Sequence, residues 1–176
     1  MYRTLIYIFL LLSFHSLFSQ NNFKDSLFKI RAFQFADSNN ASSGYINAEQ
    51  FRLLKDYGFT HVISLIPGDQ SKEDSIVNSL GMSFTQIEVI WKEPTVENVQ
   101  NYFDDMKKYS GKKVLLHCIA NMRASAFMFL YRTTQLGIEK DEAKKRMYEI
   151  WDPKENAKWD ALINTVLQKN GLENSY

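Results

Sequence analysis

The sequence contains a single cysteine, Cys118, so no disulfide can form within the chain. Only two histidines, His61 and His117, follow the first twenty residues, and with one cysteine they provide no zinc-binding spacing. An excess of one charge is also missing, because 21 lysines and arginines stand against 20 acidic residues. Without such an excess we expect no recruitment of nucleic acid or of an anionic membrane surface. The chain also lacks a glycine-rich nucleotide-binding loop.

A separate segment is present at the start of the chain. It begins with Arg3 as its only charge, continues with an apolar run over residues 5–12, and reaches small Ser19 before a polar stretch. This pattern is typical of a secretory signal peptide. An uncleaved membrane anchor is the alternative, but the apolar run is short for a bilayer span. We therefore expect a signal peptide over residues 1–19, one domain over residues 20–176, and a periplasmic or secreted protein.

The remainder of the chain alternates helical and strand patterns. Asn47 and Gln50 predict a capped helix over residues 48–57, and Gly58 stops it before the β-branched run HVISLI. The apolar stretch at residues 113–117 is typical of a strand buried on both faces of a parallel sheet. Further helices are predicted over about 72–80, 95–109, 123–135, 140–150 and 155–168, with strands over about 61–66 and 83–90 and one near 28–35. The expected fold is α/β, a central, mostly parallel sheet flanked by helices.

The only cysteine lies between a predicted strand and a predicted helix, in the stretch KVLLHCIANMRAS. This position is the carboxyl edge of the sheet, where open α/β folds bind ligands. Backbone N–H groups and the dipole at a helix N-terminus suit an anion, and together with Arg123 they favour the thiolate form of Cys118. The planar guanidinium can hold two oxygens of a tetrahedral oxyanion. An intermolecular disulfide or a small buried apolar side chain are the alternative roles for Cys118.

His117 and Cys118, followed by Arg123 between a strand and a helix, resemble the signature of cysteine-dependent protein tyrosine and dual-specificity phosphatases. Two further segments, SSGYINAEQFRLLKDYGFTHVISLIPG and LGMSFTQIEVIWKEPTVENVQNYFDDM, look like the small bacterial phosphatase-like branch of that superfamily. The resemblance covers residues 41–167. It implies a phosphatase-like fold of the dual-specificity type and two-step phosphoryl transfer through a phosphocysteine.

The resemblance also implies roles for particular residues. Cys118 would be the nucleophile, His117 would orient its loop, and Glu93 would take the place of the usual acid, because the loop IWKEPTVEN contains no aspartate. Phosphate-binding groups would come from Ile119, Ala120, Asn121, Met122, Arg123 and Ser125. The implied partner is a phosphorylated protein or small molecule. No metal or cofactor is needed, no membrane span is expected after cleavage of the signal peptide, and a monomer is expected.

Departures from the phosphatase pattern leave other functions open. Four residues separate Cys118 from Arg123, a spacing that is also similar to that of rhodanese sulfurtransferases. Asn121 replaces the usual glycine. Asparagine can take this position if its backbone is left-handed, because asparagine adopts that conformation more easily than most residues. A rhodanese-like sulfurtransferase and a non-catalytic phosphate-binding domain are therefore the alternative functions. Trp91 is expected either beside the cleft or in the core, and Asp105 on a helix surface.

Overall fold

The computed structural model describes residues 24–173 and Tyr176. Within this part of the chain, strands run over Gln34–Phe35 (β1), Asn40–Ser43 (β2), His61–Ser64 (β3), Ser83–Gln86 (β4) and Val114–His117 (β5). They form one sheet in the order β1-β2-β5-β3-β4, in which only the β1–β2 pair is antiparallel. The predicted mostly parallel α/β fold is confirmed. The predicted signal peptide lies outside the described residues.

Helices connect the strands and cover both faces of the sheet. They span Ala48–Tyr57 (α1), Ser71–Ser79 (α2), Val96–Lys108 (α3), Met122–Thr134 (α4), Lys140–Tyr148 (α5) and Ala157–Lys169 (α6), with a 3-10 turn at Pro153–Glu155. All of them start and end within three residues of the predicted bounds. The break predicted between α5 and α6 is confirmed.

Successive side chains of the central strands point to opposite faces of the sheet, so the core has two layers. Val62 and Leu115 face one layer, beneath α1 and α2, whereas Ile63 and Leu116 face the other, beneath α3, α4 and α6. All four side chains are completely buried. Burial on both faces explains why β3 and β5 are nearly continuous apolar runs in the sequence.

The ends of α1 follow the predicted chemistry. Asn47 accepts a hydrogen bond from the backbone of Gln50, whose side chain accepts one from the Asn47 backbone in return. Gly58 ends the helix at a φ of 100°, a left-handed conformation that glycine adopts without steric cost. Thr95 and Asn98 form the same reciprocal cap on α3. These caps fix where the connections toward the sheet edge begin.

The region before residue 44 differs from the prediction. A strand was expected near residues 28–35, but strand pairing there is limited to β1, and residues 24–27 are helical. The unpredicted β2 lies beside β5, with Ser43 opposite His117. Its sequence, Asn-Ala-Ser-Ser, is small and polar, so propensity gave no signal for a strand. No helix among the described residues has the length and apolar character needed to cross a bilayer.

Candidate active site

Cys118 lies where β5 meets the loop that leads into α4. Its backbone N–H donates to the carbonyl of Ser43 at 3.2 Å, which extends the pairing of β2 and β5 by one residue. The Cys118 side chain is only 1% exposed and packs in the apolar layer beneath α3 and α4. The thiol therefore lies at the carboxyl edge of the parallel strands, largely shielded from bulk water.

The guanidinium of Arg123 points into the protein rather than into solvent. Its Nη1 donates to the carbonyl oxygens of Leu65 at 2.8 Å and Val89 at 2.7 Å, just beyond the ends of β3 and β4. Arg123 is 8% exposed, and no carboxylate of the described residues forms an ion pair with it. A buried cation that is held only by neutral acceptors favours binding of an anion.

The loop between Cys118 and α4 presents unused backbone donors. In the described part of the chain, the N–H groups of Ile119, Ala120, Met122 and Arg123 form no hydrogen bond with a protein acceptor. Asn121 is the N-cap of α4, but its side chain does not cap the helix. Free N–H groups at a helix N-terminus beside a buried arginine form a cradle that suits a tetrahedral oxyanion.

Asn121 shapes this loop through its backbone conformation. Its φ is 64°, so the predicted left-handed conformation at this position is confirmed. Its Nδ2 donates to the carbonyl of Ala32 at 2.7 Å, and Ala32 is itself left-handed with a φ of 50°. These are the only non-glycine residues of residues 24–173 and 176 with a positive φ. Two residues in a sparsely populated backbone conformation thus contact each other at this loop. Such backbone strain often accompanies a functional site.

The loop is also held from the side of β2. The N–H of Tyr45 donates to the carbonyl of Ile119 at 3.1 Å, and Gly44 forms an antiparallel bridge with Ala120. A Cβ on Gly44 would lie 3.0 Å from the Ile119 oxygen and 3.0 Å from side-chain carbons of Arg31. Glycine is therefore required here by close approach, and it lets the loop lie against the segment that follows β2.

Sequence reasoning did not identify Glu73 as part of this site. The Nε2 of His117 lies 2.7 Å from the Oε1 of Glu73, and the two side chains are 0% and 10% exposed. Glu73 belongs to the first turn of α2, which follows β3, and β3 pairs with β5. The pair could have been found by combining the order of the strands with the position of the one glutamate in that turn.

Two other predicted site residues, Glu93 and Ser125, form hydrogen bonds of their own. Glu93 is exposed in the turn after β4, and its backbone N–H donates to the carbonyl of Ile90. The hydroxyl of Ser125 donates to the carbonyl of Met122, and Ser125 lines a small cavity together with Arg132. No hydrogen bond of the described residues connects either side chain to Cys118. Their proposed roles stay predictions.

Three tryptophans support the site from behind. Trp91 packs against Trp151 and Trp159 with ring centroids 5.3 and 5.2 Å apart, which favours the core role over a position beside the cleft. The indole N–H of Trp151 donates to the carbonyl of Met122 at 2.9 Å. The indole N–H of Trp159 donates to the carbonyl of Trp91 at 3.0 Å. This cluster joins the start of α4 to the loop after β4.

The fold and the cradle define the class of cysteine-dependent phosphatase-like proteins, and comparison with solved structures identifies the family. A DUF442 protein of Shewanella putrefaciens CN-32, described as a candidate phosphatase, is 37% identical over 83% of this chain and 97% of that chain, with a TM-score of 0.76. The chain therefore belongs to the DUF442 family. No protein-family model and no curated protein matches it.

More distant structures share the fold. The Pseudomonas aeruginosa protein TpbA, solved in complex with phosphotyrosine, is 16% identical over 80% of this chain and 90% of that chain, with a TM-score of 0.63. The core catalytic domain of SIW14, a PP-IP phosphatase of Saccharomyces cerevisiae, is 15% identical over 82% and 97%, with a TM-score of 0.60. The suspected resemblance to cysteine-dependent phosphatases is confirmed at the level of the fold.

Proposed function

We propose that this protein is an extracytoplasmic, cysteine-dependent phosphatase that hydrolyses phosphate monoesters. The observation that carries the proposal is the buried Arg123, which lacks a carboxylate partner among the described residues and lies next to unused N–H groups of the Cys118 loop. Two buried carbonyls hold Nη1 and leave the Nε–Nη2 edge for a bidentate contact with an oxyanion. The kinship with a DUF442 candidate phosphatase supports the same activity.

The reaction proceeds in two displacements at phosphorus. In the first, the Cys118 thiolate forms an S–P bond as the P–O bond to the leaving group breaks, and the leaving oxygen takes up a proton. In the second, water attacks the phosphocysteine, the S–P bond breaks, and inorganic phosphate and the thiolate are released. Arg123 and the N–H groups of the loop stabilise the charge on the equatorial oxygens in both steps.

The proposal also assigns roles to His117 and Glu93. His117 is held by Glu73 and positions the strand end that carries Cys118. Glu93 is the proposed proton donor to the leaving oxygen, because it lies four residues beyond the Val89 carbonyl that holds Arg123. The transfer requires the carboxyl group of this exposed residue to come within hydrogen-bond reach of the leaving oxygen.

The compartment is a further part of the proposal. Residues 1–19 have the charge, apolar run and small-residue boundary of a secretory signal peptide. We therefore expect the mature protein to act on substrates outside the cytoplasm. The test is the N-terminal sequence of the protein recovered from periplasmic and culture fractions, which should begin at Gln20. Recovery of the intact chain from the membrane fraction would contradict secretion in soluble form.

Hydrolysis of an aryl phosphate by the purified mature protein tests the activity. Wild type should release phosphate without added metal, Cys118→Ser should release none, and Glu93→Gln should be slower. The Cys118→Ser variant should still bind phosphate, which shows that its cradle is intact. A wild type that binds phosphate or vanadate without turnover would favour the non-catalytic alternative, for which the exposure of Glu93 is the supporting observation. Sulfur transfer from thiosulfate to cyanide would favour a sulfurtransferase.

A further inference from the structure

Arg132 is a second buried arginine, and its hydrogen bonds are incomplete. Its side chain is 7% exposed, and its Nη2 donates to the Oε1 of Glu142 at 3.0 Å. Within the described part of the chain, the buried Nε and Nη1 atoms have no acceptor. A guanidinium stays charged in proteins, and a buried donor without a partner costs free energy. Native proteins therefore usually supply a water molecule or an ion at such a place.

The side chain of Arg132 lines the small cavity that Ser125 also lines. These two residues share one face of α4, two helical turns apart, and the other walls come from the β1–β2 edge of the sheet and from α5. A second guanidinium, that of Arg146 on α5, lines the same cavity. None of the described residues around it is an aspartate or a glutamate. We call this space the arginine cavity.

The charges around the arginine cavity favour an anion over a water molecule. Arg132 and Arg146 each have one carboxylate partner, but that of Arg132, Glu142, is 68% exposed, and that of Arg146, Glu149, is 42% exposed. Water screens these carboxylates, so they offset the charge of the buried Arg132 only in part. An anion in the cavity would accept hydrogen bonds from Nε and Nη1 and compensate the remaining positive charge.

The size of the arginine cavity restricts its ligand to a single heavy atom. Its volume is about 10 Å³, which is room for one guest of about the size of a water molecule. A phosphate or sulfate ion, with its shell of oxygens, does not fit, whereas a halide ion does. This size distinguishes the cavity from the cradle at Cys118, which suits a tetrahedral oxyanion.

We propose that the arginine cavity binds a chloride ion, which accepts hydrogen bonds from Nε and Nη1 of Arg132 and is stabilised by the charge of Arg146. The ion joins α4 to α5 and to the β1–β2 edge of the sheet. Because the unfolded chain lacks this enclosed pair of cations, chloride binds the native protein and stabilises it by mass action. The site is independent of the proposed phosphatase activity.

Thermal unfolding of the purified protein in a chloride titration tests the proposal. Sodium chloride replaces sodium gluconate at constant ionic strength, so the general screening of charges stays the same. Gluconate is too large for the cavity. Arg132→Met removes the two donors, Arg146→Gln removes only the second charge, and the exposed Arg52→Met is the control. Arg146 is 55% exposed, so its replacement should leave the fold intact.

The melting temperature of wild type and of Arg52→Met should rise with chloride and level off about 3 °C above its value in gluconate. Arg146→Gln should need about threefold more chloride for half of this rise. Arg132→Met should show no saturable rise, and if this variant does not fold, Arg146→Gln decides alone. A wild type that does not respond to chloride, or a response that either cavity variant keeps unchanged, would overturn the site.

Bromide locates the ion and separates the arginine cavity from the cradle. In crystals soaked in sodium bromide, the anomalous difference map should show a peak within hydrogen-bond distance of Nε and Nη1 of Arg132. A peak beside Arg123 alone would assign the chloride response to the cradle and contradict the proposal. An ordered water without anomalous signal in the arginine cavity would also contradict it, because water alone would then satisfy Arg132.

Discussion

The imidazole of His117 and the carboxyl group of Glu73 form a buried pair, with Nε2 and Oε1 2.7 Å apart. The pair joins the end of β5 to the first turn of α2, directly before Cys118, the proposed nucleophile. The other ring nitrogen of His117, Nδ1, is buried without a partner in the described residues. Within this part of the chain, Glu73 is therefore the side chain that holds the orientation of the His117 ring. We infer that it positions His117 and, through it, the Cys118 loop.

Removal of the Glu73 carboxyl should change both stability and reactivity. Glu73→Ala should lower the free energy of unfolding by about 1–3 kcal/mol, because the buried imidazole loses the one side-chain hydrogen-bond partner that residues 24–173 give it. It should also change the rate at which iodoacetamide alkylates Cys118. Glu73→Gln can keep one hydrogen bond and should recover most of the stability. Chemical denaturation and alkylation kinetics provide the two measurements.

Glu49→Ala is the matched control, since Glu49 is an exposed glutamate in the first turn of α1. It should leave the alkylation rate unchanged and alter stability by less than about 0.5 kcal/mol. If Glu73→Ala lowers stability while alkylation and kcat stay at wild-type values, Glu73 supports the fold alone and has no positioning role.

The two left-handed residues behind the cradle should respond to glycine in opposite ways. Ala32→Gly removes a steric cost of about 1 kcal/mol at a φ of 50° and keeps the carbonyl that Asn121 uses, so it should raise the free energy of unfolding. Asn121→Gly loses that hydrogen bond and relieves less strain, because asparagine tolerates this region, so it should not stabilise the protein. Urea titrations measure both. A destabilised Ala32→Gly variant would show that Ala32 is not strained.

Much of the fold could be predicted from local signals. The caps of α1 and α3 and the apolar runs of β3 and β5 are each determined by neighbours in the sequence. The strand β2 could not be predicted, since its small polar residues become a strand only because β1 and β5 supply hydrogen-bond partners on both sides. Its position depends on pairing between residues far apart in the chain.

The candidate site likewise contains residues that local sequence predicts and residues that it does not. Cys118, Arg123 and the left-handed Asn121 follow from a strand, loop and helix that are contiguous in the sequence. The Glu73–His117 pair has no local signal in the sequence, because 44 residues separate its members and only the adjacency of β3 and β5 brings them together. The inward direction of the Arg123 side chain likewise depends on carbonyls at the ends of two other strands.

The carboxyl group of Asp105, beside a second buried histidine, should make stability depend on pH. Asp105 was expected on a helix surface, but its Oδ2 lies 3.4 Å from Nε2 of the fully buried His61, so that expectation was wrong. Burial acts to raise the pKa of Asp105, but hydrogen bonds with His61 and Thr85 outweigh it and hold the pKa below its ordinary value. The unfolded chain therefore binds a proton more readily than the native protein does, and acid favours unfolding.

The stabilisation from ionised Asp105 is present above the ordinary carboxyl pKa and is lost as the pH falls through the lowered value. Melting temperatures measured from about pH 7 to about pH 3 should therefore fall less for Asp105→Asn than for wild type. Asp104→Asn, one residue earlier and exposed, is the control and should follow wild type. Parallel curves for wild type and Asp105→Asn would contradict the proposed contribution.

Arg123→Lys should separate charge from geometry at the cradle. Lysine retains a positive charge, but it cannot donate to the Leu65 and Val89 carbonyls and to two phosphate oxygens at the same time. Loss of bidentate stabilisation of the transition state should lower kcat/KM for an aryl phosphate by about 10²–10³-fold. The exposed Arg52→Lys serves as the control and should retain wild-type activity. Steady-state kinetics provide the measurement. If kcat/KM of Arg123→Lys lies within about twofold of wild type, Arg123 contributes its charge alone, and the cradle does not require the planar guanidinium group.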